Sequence, residues 1–438
     1  MKNSELTHNV ENEDRALDFR RSLFFILNSQ FSIQRIVVAF VALCLINNVV
    51  LPVFEASDEV AHFRYADYLA SERRLPDLKH DLPSHEVTQP PLYYVVVALA
   101  ISPFDRSQLA ELSHLNPDWF DKSLNADYKS VRPLHLHTSQ EYWPWSSTVW
   151  AVHIGRLVSM VLGTLTVFFT YKIALEATRQ SSAFSSQLSA FLTAILVAFN
   201  PKFIHMSSIV NNDGAITLAA TVACWWMVRM WRMERGAKGV ERRAWSVTRD
   251  AFVLGVLMGV AMLCKLSGIG LLLPAIFTVV LAPRSTPDAS RLTPHTSRLT
   301  ALLSGFAIIA GPWLLFNQIN YGNPLAWEQV QTANAALLRM PPLSIREIIT
   351  TLPQILESYW GVLGIELHYP AWINGVFYAA LALAVGGWVS RGVRGKVSGV
   401  KVRTANVHEA RHYFQLSTFN FQLSTLVLWE LALLGSYA

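Results

Sequence analysis

Long runs of apolar residues recur along the chain and are separated by polar and basic segments. The first run covers residues 35–54, and further runs follow at about 150–171, 184–200, 214–231, 251–266, 268–282, 301–319, 371–389 and 421–438. A helix that crosses a bilayer needs about 20 predominantly apolar residues. The pattern therefore predicts an all-α fold, a polytopic bundle of transmembrane helices.

Two apolar stretches differ in length from a single crossing. Residues 251–282 are long enough for one very long helix or for two shorter ones, and Ser267-Gly268 between the apolar halves favours a tight turn. Residues 91–103 are apolar but span only about 13 positions, which is too short for a crossing. We interpret them as a re-entrant or interfacial helix on the outer face of the membrane.

The distribution of Lys and Arg sets the orientation. These residues concentrate in every second connecting segment, and cytoplasmic loops are the ones that carry such an excess. With a cytoplasmic N-terminus, residues 55–149 face outside and the basic segments all face inside. Counting residues 91–103 as a crossing would place the basic segments outside, so the charge pattern supports the interfacial interpretation.

The apolar runs divide the chain into four parts. These are a cytoplasmic N-terminal tail (1–34), a membrane bundle (35–319) that includes an outer catalytic loop (55–149), a second outer loop (320–370), and C-terminal membrane helices (371–438). The sequence stops at Ala438, at the end of an apolar run. Either the natural protein is cut short here or it ends on the outer face.

Composition agrees with a membrane setting. Hydrophobic residues make up 52% of the chain and charged residues 15%, whereas a soluble globular chain carries about 25% charge. The net charge of +5 does not indicate nucleic-acid binding, because the cations lie between the apolar runs. The three cysteines all fall within apolar runs, which argues against a disulfide framework or a zinc site.

The residues after the first apolar run are the first candidates for chemistry. Asp58 and Glu59 open a segment with helical periodicity, which predicts an amphipathic helix on the outer leaflet. His62 lies four residues after Asp58 and so shares its helix face. A purely structural interpretation is equally open, with Ser57 as the helix cap and the two carboxylates favouring the helix N-terminus.

Further candidates lie on the same side of the membrane. They are Gln89 and Tyr93 around the short apolar helix, Arg156 at the outer start of the second crossing, Lys202, the run Asn211, Asn212 and Asp213, and Lys265. Each also has a structural interpretation as an interfacial anchor, a helix cap or a snorkelling cation. Two carboxylates with several cations suit a reaction that activates a hydroxyl and expels a phosphate.

The order of these motifs resembles that of the GT-C membrane glycosyltransferases. The acidic pair Asp58-Glu59, the PPLYY sequence at 90–94, Arg156, Asn211-Asn212-Asp213 and Lys265 carry the resemblance, which covers roughly residues 35–370. The chain is similar in particular to the protein O-mannosyltransferase and aminoarabinose-transferase type and its uncharacterised bacterial relatives.

The resemblance implies an activity and its partners. Such enzymes move a sugar from a polyprenyl-phosphate donor to a lipid, glycan or protein hydroxyl, usually with inversion, and they work at the outer face of the plasma (inner) membrane. Asp58 would be the catalytic base, Asp213 would match a later acidic residue, and Arg156 or Lys265 would meet the lipid phosphate. Gln89 departs from the family, several members of which have a Lys or His there.

Other functions stay open at this stage. A transporter or lipid flippase would place ionisable residues near mid-membrane and show two similar halves, and the sequence has no such internal repeat. A non-catalytic, degenerate transferase is a second alternative, since Gln89 lacks a charge and family members usually have more helices. No cofactor is indicated with certainty, and a divalent metal with unknown ligands remains an option.

Overall fold

The computed structural model describes most of the chain up to the second outer loop. The described residues are 32–81, 84–119, 133–179, 183–236, 244–281, 293–335, 344–363 and 367–368, together with scattered positions between 372 and 386. Residues 1–31 of the predicted tail and the apolar run at 421–438 lie outside these ranges, and the run at 371–389 is described only in part. The structure therefore addresses the first seven of the nine predicted crossings.

Helices dominate the described residues. In chain order they are α1 (Ser32–Val50), α2 (Glu59–Glu72), α3 (Leu92–Ile101), α4 (Leu109–Leu112), α5 (Ser147–Thr178), α6 (Ala183–Ala198), α7 (Pro201–Met206), α8 (Asp213–Gly236), α9 (Ala244–Cys264), α10 (Leu272–Leu281), α11 (Thr293–Tyr321), α12 (Trp327–Ala333) and α13 (Ile345–Gly361). Short 3-10 helices cover His85–Thr88, Pro117–Trp119, Ser139–Glu141 and Leu266–Leu271. Two antiparallel two-residue strands, β1 (Val362–Leu363) and β2 (Leu367–His368), complete the set.

Four of these helices contain segments long and apolar enough to cross a membrane. The segments are Ile33–Val50, Ser147–Thr178, Val247–Cys264 and Thr296–Tyr321. Shorter apolar helices cover Ser185–Ala198 and Leu266–Leu281, and the 24-residue helix α8 runs from a carboxylate to a cluster of arginines. The prediction of an all-α, polytopic membrane protein is confirmed.

The turn predicted within residues 251–282 is present. Helix α9 ends at Cys264, the 3-10 helix Leu266–Leu271 follows, and α10 begins at Leu272. A Cβ on Gly268 would collide with the carbonyl group of Ala261, so glycine lets the chain fold back against the end of α9. This break leaves Lys265 between two helical elements, with an extended backbone.

Helices α9 and α11 pack with their backbones in direct contact. A Cβ on Gly255 would meet the carbonyl oxygen of Leu302, and a Cβ on Gly305 would meet that of Phe252. Small residues at such crossings let membrane helices approach closely, since van der Waals packing replaces the hydrophobic effect between helices in lipid. The two helices therefore pack at backbone distance, and α9 ends at the break that carries Lys265.

The first outer segment folds onto the bundle. Helix α3 is ten residues long, or about 15 Å, roughly half the thickness of the hydrocarbon core. Its tyrosines, Tyr93 and Tyr94, are buried, and α2 packs against it. The apolar side chains of α2, including Phe63 and Leu69, are buried against protein, although the sequence pattern had suggested the outer leaflet. Apolar burial therefore ties this segment to the helices that flank it.

Cysteine labelling tests the predicted orientation. The described native cysteines Cys44, Cys224 and Cys264 are buried, so background labelling should be low. His114 and Arg249 have exposed side chains in segments that we predict to lie on opposite sides. A membrane-impermeant maleimide should label His114→Cys in intact cells and Arg249→Cys only after permeabilisation. Labelling of His114→Cys only after permeabilisation would place His114 inside, which would make residues 91–103 a crossing and contradict the interfacial interpretation.

Candidate active site

A fully buried ion pair joins the segment that follows α1 to the bundle. Glu59, the first residue of α2, accepts hydrogen bonds from Arg156 of α5 at both carboxylate oxygens, 2.8 Å from Nε and 2.7 Å from Nη2. Both side chains have no solvent exposure. This two-point geometry is the strongest form of a guanidinium–carboxylate contact.

The remaining donors of Arg156 hold the end of α1. Nη1 donates to the backbone carbonyls of Asn48 and Leu51 at 2.7 and 2.8 Å, and Nη2 donates to that of Pro52 at 2.9 Å. A guanidinium has five N–H groups, and these five contacts use all of them. Arg156 therefore has no donor left for a phosphate in this structure.

Glu59 also reaches the turn before α8. Its Oε1 accepts a hydrogen bond of 2.9 Å from the backbone N–H of Val210. The next residue, Asn211, accepts from the N–H groups of Asp213 and Gly214 and so caps α8. Glu59 and Arg156, predicted as a catalytic and a phosphate-binding residue, thus lie where they support the elements around the site.

Asp58 lies at the start of α2 with an exposed side chain. Its backbone is left-handed, with φ of 59°, a conformation that Asp tolerates better than most residues. Asp58 occupies the cap position of α2 but its side chain makes no capping hydrogen bond, so the interpretation of Ser57 as the helix cap is wrong. Ser57 instead donates to Asp58 Oδ2 at 3.3 Å, because the left-handed residue turns the chain between Ser57 and the helix.

A chain of polar groups extends from α2 into the adjoining 3-10 helix. His62 Nδ1 lies 2.8 Å from the Tyr94 hydroxyl, which donates to Glu86 Oε2 at 3.0 Å. His85 Nε2 lies 3.3 Å from the other oxygen of Glu86. Because the single proton of Tyr94 goes to Glu86, its oxygen accepts from His62, and we infer that Nδ1 of His62 carries a proton.

Several charged residues act electrostatically on His62, among them the predicted carboxylates Asp58 and Asp213 and the cation Lys265. Burial lowers the pKa of His62, while Glu86, Asp213 and Asp58 act to raise it and Lys265 acts to lower it further. The hydrogen bond to Glu86 raises the pKa of His85, and the charge of Asp58 acts in the same direction. Asp58, Asp213 and Lys265 therefore lie close enough to act on one imidazole.

Glu86 is the ionised centre of the chain. Burial would raise the pKa of Glu86, but the charge of His62 and hydrogen bonds from His85 and Tyr94 outweigh burial and lower the pKa to about 2. An ionised Glu86 keeps the Tyr94 proton directed towards itself and favours the charged form of His85.

Lys265 pairs with the carboxylate that opens α8. Its Nζ donates to Asp213 Oδ1 at 2.6 Å, and the two side chains are 19% and 15% exposed. Burial lowers the pKa of Lys202, and the charge of Asp213 opposes that effect, so Lys202 lies within reach of the same pair. Gln89 accepts from the backbone N–H of Leu266 at 3.3 Å, which ties the sequence before α3 to the break that carries Lys265.

Three supporting residues occupy the interior beneath this surface. The hydroxyls of Tyr93 and Ser159 are 2.8 Å apart, which joins α3 to α5. Asn211 donates to the carbonyl of Met206 in addition to capping α8. Asn212 is 1% exposed, and within the described part of the chain its two side-chain polar atoms have no hydrogen-bond partner.

Sequence reasoning missed three members of the polar chain, namely His85, Glu86 and Tyr94. The available signal was the His85-Glu86 pair shortly before Gln89, in the segment that resembles the family. Across the residues that the structure describes, no group of three His, Cys, Asp or Glu side chains could hold a metal ion. No ligand set is therefore assigned to the metal considered above.

The fold and the site together define a polytopic helical membrane protein with carboxylates and cations gathered beside the segment between α1 and α5. Residues 147–316 match the model of the dolichyl-phosphate-mannose-protein mannosyltransferase family. The match supports a GT-C-like membrane glycosyltransferase, and it confirms the resemblance predicted from the motifs. It runs from α5 into α11 and contains Arg156, Asp213 and Lys265. A comparison with curated proteins gives no match.

Substitution of Arg156 tests its structural role. Arg156→Met should reduce the free energy of unfolding by about 3–5 kcal/mol, because it leaves the Glu59 carboxylate buried without a partner. The matched control is Arg74→Met, which removes an ion pair whose Arg is 53% exposed and should cost about 0–1 kcal/mol. Thermal unfolding in detergent measures both. An Arg156→Met protein that is as stable as the unmodified one, but that needs more donor, would restore the phosphate-binding role.

Proposed function

We propose that this protein is a glycosyltransferase that moves a sugar from a polyprenyl-phosphate donor to a lipid, glycan or protein hydroxyl at the outer face of the plasma membrane. The observation that carries the proposal is the grouping of exposed Asp58 with the Lys265–Asp213 pair around His62, which all three charged groups act on. The family match supports it, because a dolichyl-phosphate sugar is a polyprenyl-phosphate donor.

Asp58 acts as the general base in the proposed reaction. Its carboxylate takes the proton of the acceptor hydroxyl as that oxygen attacks the anomeric carbon of the donor sugar. The bond from the anomeric carbon to the phosphate oxygen breaks, and its electron pair leaves with the polyprenyl phosphate. Attack opposite to the leaving group inverts the configuration at the anomeric carbon.

Cations near Asp58 stabilise the phosphate as it leaves. Lys265 and Lys202 lie in the surroundings of Asp213, and the charges of Glu86 and Asp58 both favour the protonated form of His85. Charge that develops on the phosphate is best met by groups already in place in a poorly solvated site. Gln89 is assigned a positioning role, since its side-chain oxygen holds the backbone next to Lys265.

Asp58→Asn tests the base directly. The substitution keeps the size of the side chain but removes its basicity, and a catalytic base contributes about 10²–10⁴-fold to the rate. Transfer from radiolabelled polyprenyl-phosphate sugars should fall by that factor, with unchanged protein level. Glu72→Gln is the control, because it removes an exposed carboxylate at the other end of α2. Full activity in Asp58→Asn would exclude Asp58 as the base.

Lys265→Met tests the phosphate site. Loss of the ammonium should raise the donor concentration needed for half-maximal transfer and should lower the maximal rate, while Lys265→Arg should retain part of both. Lys79→Met provides the comparison, since Lys79 is exposed and contacts a backbone carbonyl in the second outer loop. Donor-concentration curves measure the effects. A Lys265→Met curve identical to that of the unmodified protein would move the phosphate to Lys202 or His85.

A further inference from the structure

A second cluster of ionisable groups lies in the outer segment, away from the residues of the proposed reaction. His137 is placed between two carboxylates, with Nε2 at 3.0 Å from Glu55 and Nδ1 at 2.8 Å from Glu141. Glu55 follows α1, whereas His137 and Glu141 belong to the segment that precedes α5. The three side chains therefore connect two parts of the chain about 80 residues apart.

Both carboxylates also bind the backbone of the opposite segment. Glu55 accepts from the N–H groups of Leu134 and His135 at 2.7 and 3.4 Å. Glu141 accepts from the N–H group of Val53 at 3.1 Å. The contacts run in both directions between residues 53–55 and 134–141, and we call this set of interactions the His137 clamp.

The clamp requires a doubly protonated imidazole. Each ring nitrogen faces an acceptor-only carboxylate, so each must carry a proton, and the ring is then a cation. Hydrogen bonds to Glu141 and Glu55 raise the pKa of His137 to about 9. The titratable His135 and the cation Arg64 also face this region, and burial lowers the pKa of His135, which favours its neutral form.

The clamp holds a short and unusual stretch of backbone. Phe54 and Asp58 both have left-handed backbone angles, with φ of 64° and 59°. Residues in that region persist only where the surrounding structure holds them. Arg156 anchors the stretch on one side through the carbonyls of Leu51 and Pro52, and Glu59 anchors it on the other. Glu55 lies between these anchors, and the clamp is its attachment to the rest of the protein.

We propose that His137, with Glu55 and Glu141, is a positioning element that sets the place of Asp58 and releases it when the imidazolium loses its proton. The proposal rests on the proposed function for the role of Asp58, but the clamp itself is a property of the fold. His137 touches no reacting group and acts through the backbone of residues 53–58. Below the pKa of the bound His137 the stretch is held, and above it one of the two carboxylates loses its donor.

A spin label on Ser57→Cys reports on this stretch without any need for activity. Ser57 is exposed, and the native cysteines of the described chain are buried. In the otherwise unmodified protein the label should be ordered at neutral pH and become mobile as the pH rises through about 9. Glu141→Gln should shift this transition to lower pH, because it removes the carboxylate that contributes most to the raised pKa of His137. His137→Gln should give a mobile label at every pH, and His114→Gln, at an exposed histidine of the same segment, should change nothing.

Thermal unfolding tests whether the stabilisation by His137 has the pH dependence that the clamp requires. A histidine whose pKa is raised by folding stabilises the fold most below its ordinary pKa of 6.5, and the stabilisation is lost as the pH rises towards about 9. The difference in melting temperature between the unmodified protein and His137→Gln should therefore be largest near pH 6 and should disappear near pH 10. A difference that is independent of pH would overturn the proposal, as would a label transition at the same pH in Glu141→Gln and the unmodified protein.

Transfer assays separate the clamp from the proposed function. With an active donor, His137→Gln should lower kcat by roughly tenfold to a hundredfold, because a small displacement of a catalytic group has that effect, and the KM for donor should be unchanged. A KM effect with normal kcat would contradict positioning of Asp58. If no donor supports transfer in the unmodified protein, the proposed function fails, while the spin-label and unfolding results still decide the clamp.

Discussion

The structure depends on one buried guanidinium. Arg156 binds the carboxylate that opens α2 and three carbonyls at the end of α1, and so it joins three elements at a point without solvent. A buried ion pair of this kind adds little net stability compared with apolar packing, but loss of one partner is very costly. The main effect of the Arg156–Glu59 pair is therefore to fix the relative positions of α1, α2 and α5. The direction in which the chain leaves α1, and with it the location of Asp58, follows from where Arg156 is held in α5.

The adjacent carboxylates Asp58 and Glu59 lie in opposite environments, because the left-handed backbone of Asp58 turns the chain just before α2. Because α2 begins at Glu59, the side chain of Glu59 points into the bundle. There its carboxylate is bound by the Arg156 guanidinium and by the backbone N–H of Val210. The left-handed residue before it faces solvent. The acidic pair at the start of α2 thus supplies one buried group that holds the framework and one exposed group, which is the base in the proposed reaction.

Apolar run lengths predicted most of the helices, and the Ser267-Gly268 break was predicted because glycine permits a close approach there. The site was less accessible to sequence reasoning. Arg156 was predicted to meet the lipid phosphate, whereas the structure pairs it with Glu59, 97 positions away in the chain. Spacing cannot distinguish such an internal anion from a bound phosphate. The hydrogen-bonded groups His62, Tyr94 and Glu86 could not be predicted from spacing either, because only folding brings α2 and α3 together.

The Lys265–Asp213 contact gives the proposed phosphate site a particular character. A donor does not meet a free ammonium there but one already engaged at 2.6 Å by a carboxylate. Binding is then an exchange of partners, in which the ammonium turns from an internal anion to an external one. The same exchange runs backwards after transfer, when Asp213 competes with the product phosphate for Lys265. The resident carboxylate thus weakens the hold on substrate and product alike, which favours turnover over retention of the spent carrier.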